Sequence, residues 1–314
     1  MTDPLAEVVS LLQPGAPFSK LVTASASWAV RRSETGRPFY FVLLQGSCRL
    51  AIDGPAGNDS LLLNEGDFAL IPAATGFAAS SLDREPPRAG ELVTTPVVAM
   101  PGGARVGDPR GAVDVRMLVG NCVFGSPDAA LLVPLLPRWV HVPADARLAT
   151  LMQLVGDESR ASRPAREIVM ARLLEVMLIE ALRSTASVAA SPGLVRGLSD
   201  ARLALVLRRL HERPADAWSV ARLATEAGMS RSALFDRFSR AVGVAPMAYL
   251  LAWRMALAGQ MLRQRELAIA EIAERVGYSS VSTFGVAFTR HVGMPPGRYA
   301  RDARHATAKR ATPT

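Results

Sequence analysis

The fold of the C-terminal part of the chain is decided by residues 223–249, LATEAGMSRSALFDRFSRAVGVAPMAY, which recur at residues 272–299 as IAERVGYSSVSTFGVAFTRHVGMPPGRY. The offset is 49 residues up to the glycine and 50 from the serine onward, so the second copy has one extra residue in its turn. A small alanine lets two helices approach, the glycine suits a left-handed helix end, and the serine can cap the next helix. The pattern predicts two helix-turn-helix units that reach two neighbouring stretches of DNA major groove.

The positive charge of the chain is concentrated in the same region. From Leu198 onward 18 Lys or Arg residues face 9 Asp or Glu residues, a balance of +9, whereas residues 1–197 carry −1. A generally arginine-rich composition, with 34 Arg to 2 Lys, would spread its charge over both halves. Basic charge confined to one region predicts a polyanion partner, here double-stranded DNA.

Between about residues 28 and 116 the chain has the pattern of short strands separated by turns. Phe39–Ile52 is a β-rich apolar segment, and residues 53–59 form a turn after it. The apolar residues 61–63 then lead through Glu65, Gly66 and Asp67 into a second apolar segment at 68–72. This pattern predicts a small β-barrel or jelly roll. The side chains expected inside it are Phe39, Phe41, Leu43, Leu50, Ile52, Phe68, Leu70 and Phe77. They predict a pocket for a largely apolar or neutral small-molecule effector, or an interior that these side chains fill themselves.

A helix is predicted from Pro164 to Ser184. Its apolar stripe consists of Ile168, Ala171, Leu174, Met177 or Leu178, and Leu182. The stripe can pack on its own barrel or against a second subunit, and the second arrangement predicts a homodimer. Small residues at 184–197 then predict a linker.

Helices fill the rest of the chain. We expect a helix at Asp200–His211, helix-turn-helix units at 220–241 and 269–291, and between them a helical rod from Pro246 to about Arg263. The rod of about 27 Å approaches the roughly 34 Å between successive major-groove faces. The tail from His305 is predicted to be disordered.

The chain is therefore expected to be an α+β two-domain protein. It has an N-terminal cupin-like β-barrel of the jelly-roll type and a C-terminal all-α domain with two helix-turn-helix motifs joined by a long helix. The expected boundaries are a sensory domain at 15–160, a dimerisation helix and linker at 161–197, and a DNA-binding domain at 198–303.

The segments at 218–232, 249–255 and 272–278, which read WSVARLATEAGMSRS, YLLAWRM and IAERVGY, resemble the AraC/XylS family of bacterial transcriptional regulators. The resemblance spans residues 203–301. The N-terminal half resembles the cupin-type sensory domain of that family through LNEGDFALIP at 63–72 and LLVPLLP at 131–137. The resemblance implies a homodimeric activator or repressor that binds promoter or operator DNA, with RNA polymerase as a further partner.

The DNA-facing side of the first recognition helix follows from helical geometry. With Leu234 and Phe238 inward, the outward side chains are Ser232, Asp236 and Ser239, flanked by Phe235 and Arg240. The family resemblance implies that Ser232, Phe235 and Asp236 reach base edges. Asp236 can accept a hydrogen bond from cytosine N4, or instead form an ion pair with Arg240 on the helix surface. Arg231, Arg237 and Arg240 are expected to contact phosphates.

The second recognition helix departs from the usual family pattern. With Phe284 and Phe288 inward, its outward face is Ser282, Gly285, Val286 and Thr289, flanked by Arg290, and Ser280 at its start is also expected to contact DNA. Relatives often present an arginine or a long polar side chain where this helix has Val286. A valine can contact a thymine methyl group but donates no hydrogen bond. We therefore expect the second unit mainly to position the protein, while the first unit reads more of the sequence.

Metal-dependent and cofactor-dependent chemistry is not expected. The chain has four histidines, of which only His141 precedes the linker, and a metal-binding cupin needs several histidines and a carboxylate. We expect no metal site, no cofactor and no catalytic residues, and a structural role for His141. No catalytic triad pattern or phosphate-binding glycine loop occurs.

Three other functions remain open at this stage. One is a metal-free β-barrel enzyme with an attached DNA-binding module, and another is an architectural DNA protein that ignores sequence. The third is a redox-responsive regulator that uses Cys48 and Cys122, although free cysteines are usually buried small apolar residues. The N-terminal residues lack a basic segment followed by an apolar one, and no run of eighteen uncharged apolar residues occurs, so we expect a cytoplasmic protein without a membrane span.

Overall fold

The computed structural model describes residues 3–54, 58–93, 95–160, 163–184, 192–264 and 266–302. Contacts divide the chain into two compact units. The barrel unit comprises Gln13–Gly125 and Pro137–Ser191, and the helical unit comprises Met1–Leu12, Ser126–Leu136 and Pro192–Thr314. This division differs from the contiguous ranges expected from the sequence, because two short N-terminal segments belong to the helical unit.

The elements are numbered along the chain. The strands are β1 (Pro14–Ser25), β2 (Ala29–Gln45), β3 (Ser47–Ile52), β4 (Asp59–Asn64), β5 (Phe68–Ser80), β6 (Val97–Met100), β7 (Gly103–Gly107), β8 (Val115–Phe124) and β9 (Val140–Val142). The helices are α1 (Pro4–Leu12), α2 (Ala129–Leu132), α3 (Ala146–Arg160), α4 (Arg166–Ser184), α5 (Leu194–Leu198), α6 (Ala201–Glu212), α7 (Val220–Glu226), α8 (Arg231–Val242), α9 (Pro246–Gln264), α10 (Ile269–Arg275) and α11 (Val281–Val292). A 3-10 turn, Val133–Leu135, follows α2.

The barrel unit is built on one sheet. Its strand order is β4-β3-β5-β2-β8-β1-β7-β6, with β9 added to β5, and its pairs are antiparallel except for β1 with β7. Within the described ranges the two end strands, β4 and β6, do not pair with each other. The predicted class of a β-rich N-terminal unit and an all-α C-terminal unit is confirmed.

One face of the sheet carries an apolar cluster. It contains six of the side chains expected inside the barrel, namely Phe39, Phe41, Leu43, Leu50, Ile52 and Phe77. Phe68 and Leu70 are buried, but their neighbours Ala69 and Ile71 are the β5 residues in this cluster. Because successive side chains of a strand point to opposite faces, the expectation for Phe68 and Leu70 was wrong by one residue of register.

Helix α4 closely matches the predicted helix and packs against α3 and β1. Its buried side chains are Met170, Leu174, Met177, Leu178, Ala181 and Leu182. Ile168, expected in the buried stripe, is 67% exposed, because the buried stripe begins at Met170 instead.

The second half of the predicted linker forms a helix. Residues 185–191 lie outside the described ranges, as does the predicted tail from His305. Residues 194–198, however, form α5, which packs against α6 and α8. A Cβ atom on Gly197 would lie 2.8 Å from Val242 and 3.0 Å from Leu207, so the chain is closely packed here. The second half of the predicted linker therefore belongs to the helical unit.

Helix α9 lies between the two helix-turn-helix units along the chain and contributes to their cores. Met255, Ala258 and Leu262 pack in one cluster with Phe284 and Phe288 of α11. With 19 residues, α9 is about 28 Å long, in agreement with the predicted rod.

Candidate nucleic-acid interface

The first helix-turn-helix unit consists of α7 and α8, and a serine caps each helix. The Ser219 hydroxyl accepts a hydrogen bond from the Arg222 backbone N–H at 3.2 Å, and the Ser230 hydroxyl accepts one from the Ala233 N–H at 3.2 Å. Gly228, in the turn between them, has a φ of +60°. The predicted capping serine and left-handed glycine are thus confirmed.

Helix α8 has one buried face and one exposed face. Leu234, Phe238 and Val242 are buried. The exposed residues are Arg231, Ser232, Phe235, Asp236, Arg237 and Arg240. The Ser239 hydroxyl is buried and has no hydrogen-bond partner within the described residues, which corrects the expectation that it points outward.

Arg237 is held by an ion pair with Asp200, the N-cap residue of α6. Its Nε donates to Asp200, whose other carboxylate oxygen accepts from the backbone N–H groups of Arg202 at 3.0 Å and Leu203 at 3.3 Å. Partial burial opposes ionisation, but these hydrogen bonds outweigh it and hold the pKa of Asp200 below its ordinary value. Arg237 remains half exposed. The pair therefore fixes the side chain at the surface of the unit.

The Asp236 carboxylate is exposed on the same helix. Arg240 Nε donates to the Asp236 backbone carbonyl at 3.3 Å rather than to the carboxylate. Within the described residues, the ion pair considered as an alternative is not formed. The carboxylate therefore faces solvent with its acceptor oxygens available.

The second unit, α10 and α11, repeats this backbone design. The Ser280 hydroxyl accepts from the Thr283 backbone N–H at 3.1 Å, and Gly277 has a φ of +83° in the turn. The turn between α10 and α11 is one residue longer than that between α7 and α8, as the repeat offset predicts. Since its hydroxyl accepts this hydrogen bond, Ser280 acts as the N-cap of α11.

Helix α11 buries Phe284 and Phe288, and its exposed side combines valines with hydroxyl side chains and one arginine. Ser282, Val286 and Arg290 are exposed, and Val286 is 69% exposed. The Thr289 hydroxyl donates to the Gly285 backbone carbonyl at 2.7 Å, so its proton is already engaged within the helix.

Arg254, on α9, contacts both the segment between α6 and α7 and the turn between α10 and α11. Its Nε donates to the Pro214 carbonyl at 2.7 Å, and a terminal nitrogen donates to the Asp216 carbonyl at 2.8 Å. A Cβ on Gly277 would lie 2.7 Å from the Arg254 guanidinium and 2.7 Å from the Ala215 carbonyl. Gly277 is therefore required by both its backbone conformation and the close packing of this arginine.

Asp128, just before α2, is the buried acceptor that ties α9 to the end of the second unit. It receives an ion pair from Arg263 and a hydrogen bond from the Tyr299 hydroxyl at 2.9 Å. Burial opposes ionisation of Arg263, but the Asp128 carboxylate raises the pKa of the guanidinium above its usual range. A Cβ on Gly259 would lie 2.3 Å from the Asp128 carboxylate, so only glycine allows this approach.

A second buried polar contact joins α1 to α6 and α9. His211 Nδ1 lies 2.6 Å from a Glu7 carboxylate oxygen, and its Nε2 lies 2.7 Å from the Tyr249 hydroxyl. The imidazole stacks on Trp253 with ring centroids 4.0 Å apart. Burial lowers the pKa of His211 below its ordinary value, although Glu7 acts in the opposite direction.

Comparisons with known proteins agree with this geometry. A protein-family model described as "Cupin" matches residues 3–187, and one described as "Helix-turn-helix domain" matches residues 223–302. Over 303 residues the chain is 37% identical to a "Putative AraC-like transcription regulator" of Streptomyces lividans, covering 95% of this chain and 97% of that protein. The chain belongs to the AraC-like family of transcription regulators.

Two further relatives cover nearly the same extent. A "Putative AraC-like transcription regulator" of Streptomyces antibioticus is 36% identical, covering 95% of this chain and 98% of that protein. The "RCS-specific HTH-type transcriptional activator RclR" of Escherichia coli K12 is 26% identical, covering 95% of this chain and 96% of that protein. The predicted resemblance to the AraC/XylS family and its cupin-type N-terminal domain is confirmed.

The barrel unit of this AraC-like regulator contains a cavity of about 390 Å³. Phe39, Phe41 and Phe77 form one wall, with ring centroids 4.5 to 5.1 Å apart. Most other lining side chains are aliphatic and come from β1, β2, β7 and β8. Three cationic side chains, Lys20, Arg31 and Arg32, also line the cavity, and Arg31 forms an ion pair with Asp53.

In the barrel unit, Cys48 is buried and His141 contacts a partly buried network around Asp67. Cys48 is 1% exposed, and burial, assisted by the Asp67 carboxylate, raises the pKa of its thiol to about 12. The Cys122 side chain lies outside what the structure describes. His141 Nε2 lies 2.9 Å from Asp67, which also accepts from the Asn64 and Ala144 backbone N–H groups. These contacts agree with the structural role expected for His141.

The described parts of the chain contain no candidate metal site and no single helix that could span a membrane. No group of three or more His, Cys, Asp or Glu side chains there could hold a metal ion. No single described helix is long and apolar enough to cross a membrane, and α8 and α9 reach that length and hydropathy only together, across a bend of 57°.

Sequence reasoning missed Asp128, Glu7 and Arg254 as residues that support the interface. Arg254 stands in the rod segment that carried the family resemblance, so its position was marked but its contacts were not. Asp128 and Glu7 lie far from the repeat along the chain, and no local pattern connects them to it.

Proposed function

We propose that this AraC-like regulator binds a specific promoter or operator sequence through unequal contributions of its two helix-turn-helix units. The observation that carries the proposal is the exposed face of α8, where Ser232, Phe235 and Asp236 stand between arginines on a helix whose ends are capped. Ser232 and Asp236 reach base edges, and Phe235 makes apolar contact there.

The arginines of α8 contact the phosphates on either side of these bases. Arg231 and Arg240 are exposed, and Arg237 presents its outer guanidinium nitrogens while Asp200 holds its Nε. Phosphate contacts set the register of the protein on DNA without reading sequence. In the second unit Arg290 has this role, while Ser280, Ser282, Val286 and Thr289 lie along the groove.

A selection experiment with the full chain tests specific binding. We expect a random-sequence duplex library to yield one enriched motif, with an affinity that falls steeply with salt because counterions are released. Asp236→Ala should change the motif, whereas Glu271→Ala, on α10 and outside the recognition helices, should leave it unchanged. Uniform binding to every duplex would favour a sequence-indifferent architectural protein instead.

We also propose that a largely apolar small molecule binds in the barrel cavity and controls the regulator. The cavity has the size typical of small-molecule sites, and Asp53 already neutralises Arg31 at its wall. A bound effector should raise the melting temperature, since it prefers the folded state. Ala104→Leu, which fills part of the cavity, should abolish this shift, whereas Ala149→Leu on the exposed side of α3 should retain it.

A homodimer completes the proposal. Ile168, Val169 and Val176 form an exposed apolar strip on α4, with Leu154 exposed on α3. Leu174 and Leu178 cannot serve as dimer contacts because both are buried within the barrel unit. Charging Ile168 and Val176 together with glutamate should yield folded monomers in light scattering, while Leu92→Glu at another exposed position should not. A wild type already monomeric at micromolar concentration would contradict the dimer.

The remaining assignments follow from this role. The protein acts as a regulator in the cytoplasm, as activator or repressor, and RNA polymerase is its further partner in activation. It is not an enzyme, and it does not sense oxidants through Cys48, because a buried thiol with a pKa of about 12 is scarcely present as the reactive thiolate.

A further inference from the structure

The second recognition helix has a shallow apolar depression on its exposed side. Val281 and Val286 line it, Pro295 and Pro296 close one end, and the Arg290 side chain stands beside it. Among the described residues that line it, Arg290 is the only charged one, and Ser282 and Thr289 contribute hydroxyl groups. The apolar depression can accept an apolar group of a ligand. Arg290, beside it, can at the same time bind an anionic group of the same ligand.

Gly285 lies in this depression, in the middle of α11. A Cβ atom at this position would meet nothing within 4 Å, and the residue does not adopt a positive φ. Neither packing nor backbone conformation therefore requires glycine. A glycine inside a helix nevertheless destabilises the helix relative to alanine. The missing side chain leaves open space beside Val286 at the cost of helix stability.

The repeat shows where this space lies. At the offset of 50 residues, Gly285 and Val286 correspond to Phe235 and Asp236, the residues proposed to reach base edges from α8. At these two positions the first unit therefore has a large aromatic side chain and a carboxylate. The second unit has a glycine and a valine there.

We propose that the depression at Gly285 and Val286 is a thymine-reading site, in which the 5-methyl group of a thymine in the major groove contacts Val286 in the space left by Gly285. This inference rests on the proposed DNA-binding function and specifies the chemistry that the second unit recognises. The methyl group is the only apolar feature on the major-groove edge of the base pairs. Arg290, beside the depression, holds the adjoining phosphate.

Replacing thymine by deoxyuridine in the duplex selected by the full chain tests the site, because deoxyuridine lacks only the methyl group. The half-site bound by α8 is the one whose preference changes in Asp236→Ala, and the thymines of the other half-site are replaced one at a time. For wild type we expect one or two positions to lose about 4-fold in affinity, the equivalent of one buried methyl group.

Three protein variants test the site further. Val286→Ala should bind the thymine and deoxyuridine duplexes equally, while Phe235→Ala, at the position of the first unit that corresponds to Gly285, should retain the thymine preference of the second half-site. Gly285→Ala should raise the melting temperature, because alanine favours the helix, yet weaken binding to the thymine duplex. Replacing thymine by deoxyuridine should then restore the binding of Gly285→Ala, because removing the thymine methyl group makes room for the methyl group of the alanine.

The outcomes separate this inference from the function on which it rests. A selected duplex with no deoxyuridine effect in the second half-site, or an effect that persists in Val286→Ala, overturns the thymine site and leaves specific binding intact. If the deoxyuridine effect disappears in Arg290→Ala but persists in Val286→Ala, the depression contacts the sugar–phosphate backbone. That outcome also overturns the thymine site. Failure to select any motif overturns both.

Discussion

The two helix-turn-helix units share their backbone design, and their recognition helices also share an exposed serine (Ser232 and Ser282) and an exposed arginine (Arg240 and Arg290), but they differ at the exposed positions between these two. Both have a left-handed glycine in the turn and a serine that caps the recognition helix. The positions of Arg231, Phe235 and Asp236 in α8 are occupied in α11 by valine, glycine and valine. The residues that make the fold have thus been kept in both copies, while those that face DNA have diverged toward charge in one and toward apolar contact in the other.

The supports of the two units differ as well. α6 and the start of α9, next to the first unit, are joined to α1 through Glu7, His211 and Tyr249. The end of α9 and the second unit are joined to the segment before α2 through Asp128. Each unit therefore depends on a different N-terminal segment, and the two can be perturbed separately.

The largest effect is expected from Asp128→Ala. The substitution leaves the Arg263 guanidinium and the Tyr299 hydroxyl without their buried acceptor, which should cost about 3–5 kcal/mol of the free energy of unfolding. Denaturant unfolding measures the loss, and hydrogen exchange should show it mainly in α11. The counterpart Asp200→Ala removes the cap of α6 and should cost about 0.5–2 kcal/mol, mainly near α8. Equal loosening of both units by either variant would contradict separate supports.

The next effect concerns base preference. Asp236→Ala removes the exposed acceptor and should change the preferred base at one position of the first half-site by about 1–3 kcal/mol. Binding measured against the four base pairs at each position checks this. An unchanged preference at every position would refute the base contact, and Val286→Ala provides the comparison because it should alter only the other half-site.

A smaller and less selective effect is expected from Arg231→Ala. A phosphate contact reads no sequence, so affinity should fall alike for all duplexes, and the slope of log K against log salt should fall by about 1. Titrations at several salt concentrations provide the measurement. Val281→Ala, at the corresponding position of α11, should leave the slope unchanged, and a sequence-dependent loss in Arg231→Ala would point to a base contact instead.

The stability of the helical unit should also depend weakly on pH through His211. Burial lowers its pKa in the folded state below the ordinary 6.5, so the unfolded chain takes up a proton first as pH falls. Stability from this group is therefore complete above about pH 6.5 and decreases below it. Denaturation at several pH values should show the decrease, and His211→Gln should flatten it. If His291→Gln, on the exposed end of α11, flattened it equally, His211 would not be the source.

Local patterns were sufficient to predict the helical elements of the C-terminal region. The serine caps, the turn glycines and the spacing of Leu234, Phe238, Phe284 and Phe288 act over a few residues, so they can be read directly from the repeat. The exposed face of α8 followed from the same geometry, apart from Ser239, whose hydroxyl is buried.

Contacts between distant segments could not be predicted in this way. The sequence separation between Asp128 and Tyr299 is 171 residues, and between Glu7 and His211 it is 204 residues. The β5 register was misassigned because its two faces are both apolar, so alternation did not distinguish Phe68 from Ala69. A fragment restricted to 198–303 would lack α1, α2 and α5, and the apolar surfaces that they cover would be exposed.

The unequal reading of DNA by the two units is tested most directly by measuring the affinity of the wild-type chain for every single-base-pair substitution of its selected site. Asp236→Ala identifies which half-site belongs to the first unit. We predict that substitutions in that half-site cost about 1–3 kcal/mol each, whereas those in the other half-site are costly only where a thymine methyl group is lost. Equal costs in the two half-sites, or larger costs in the second, would contradict this account.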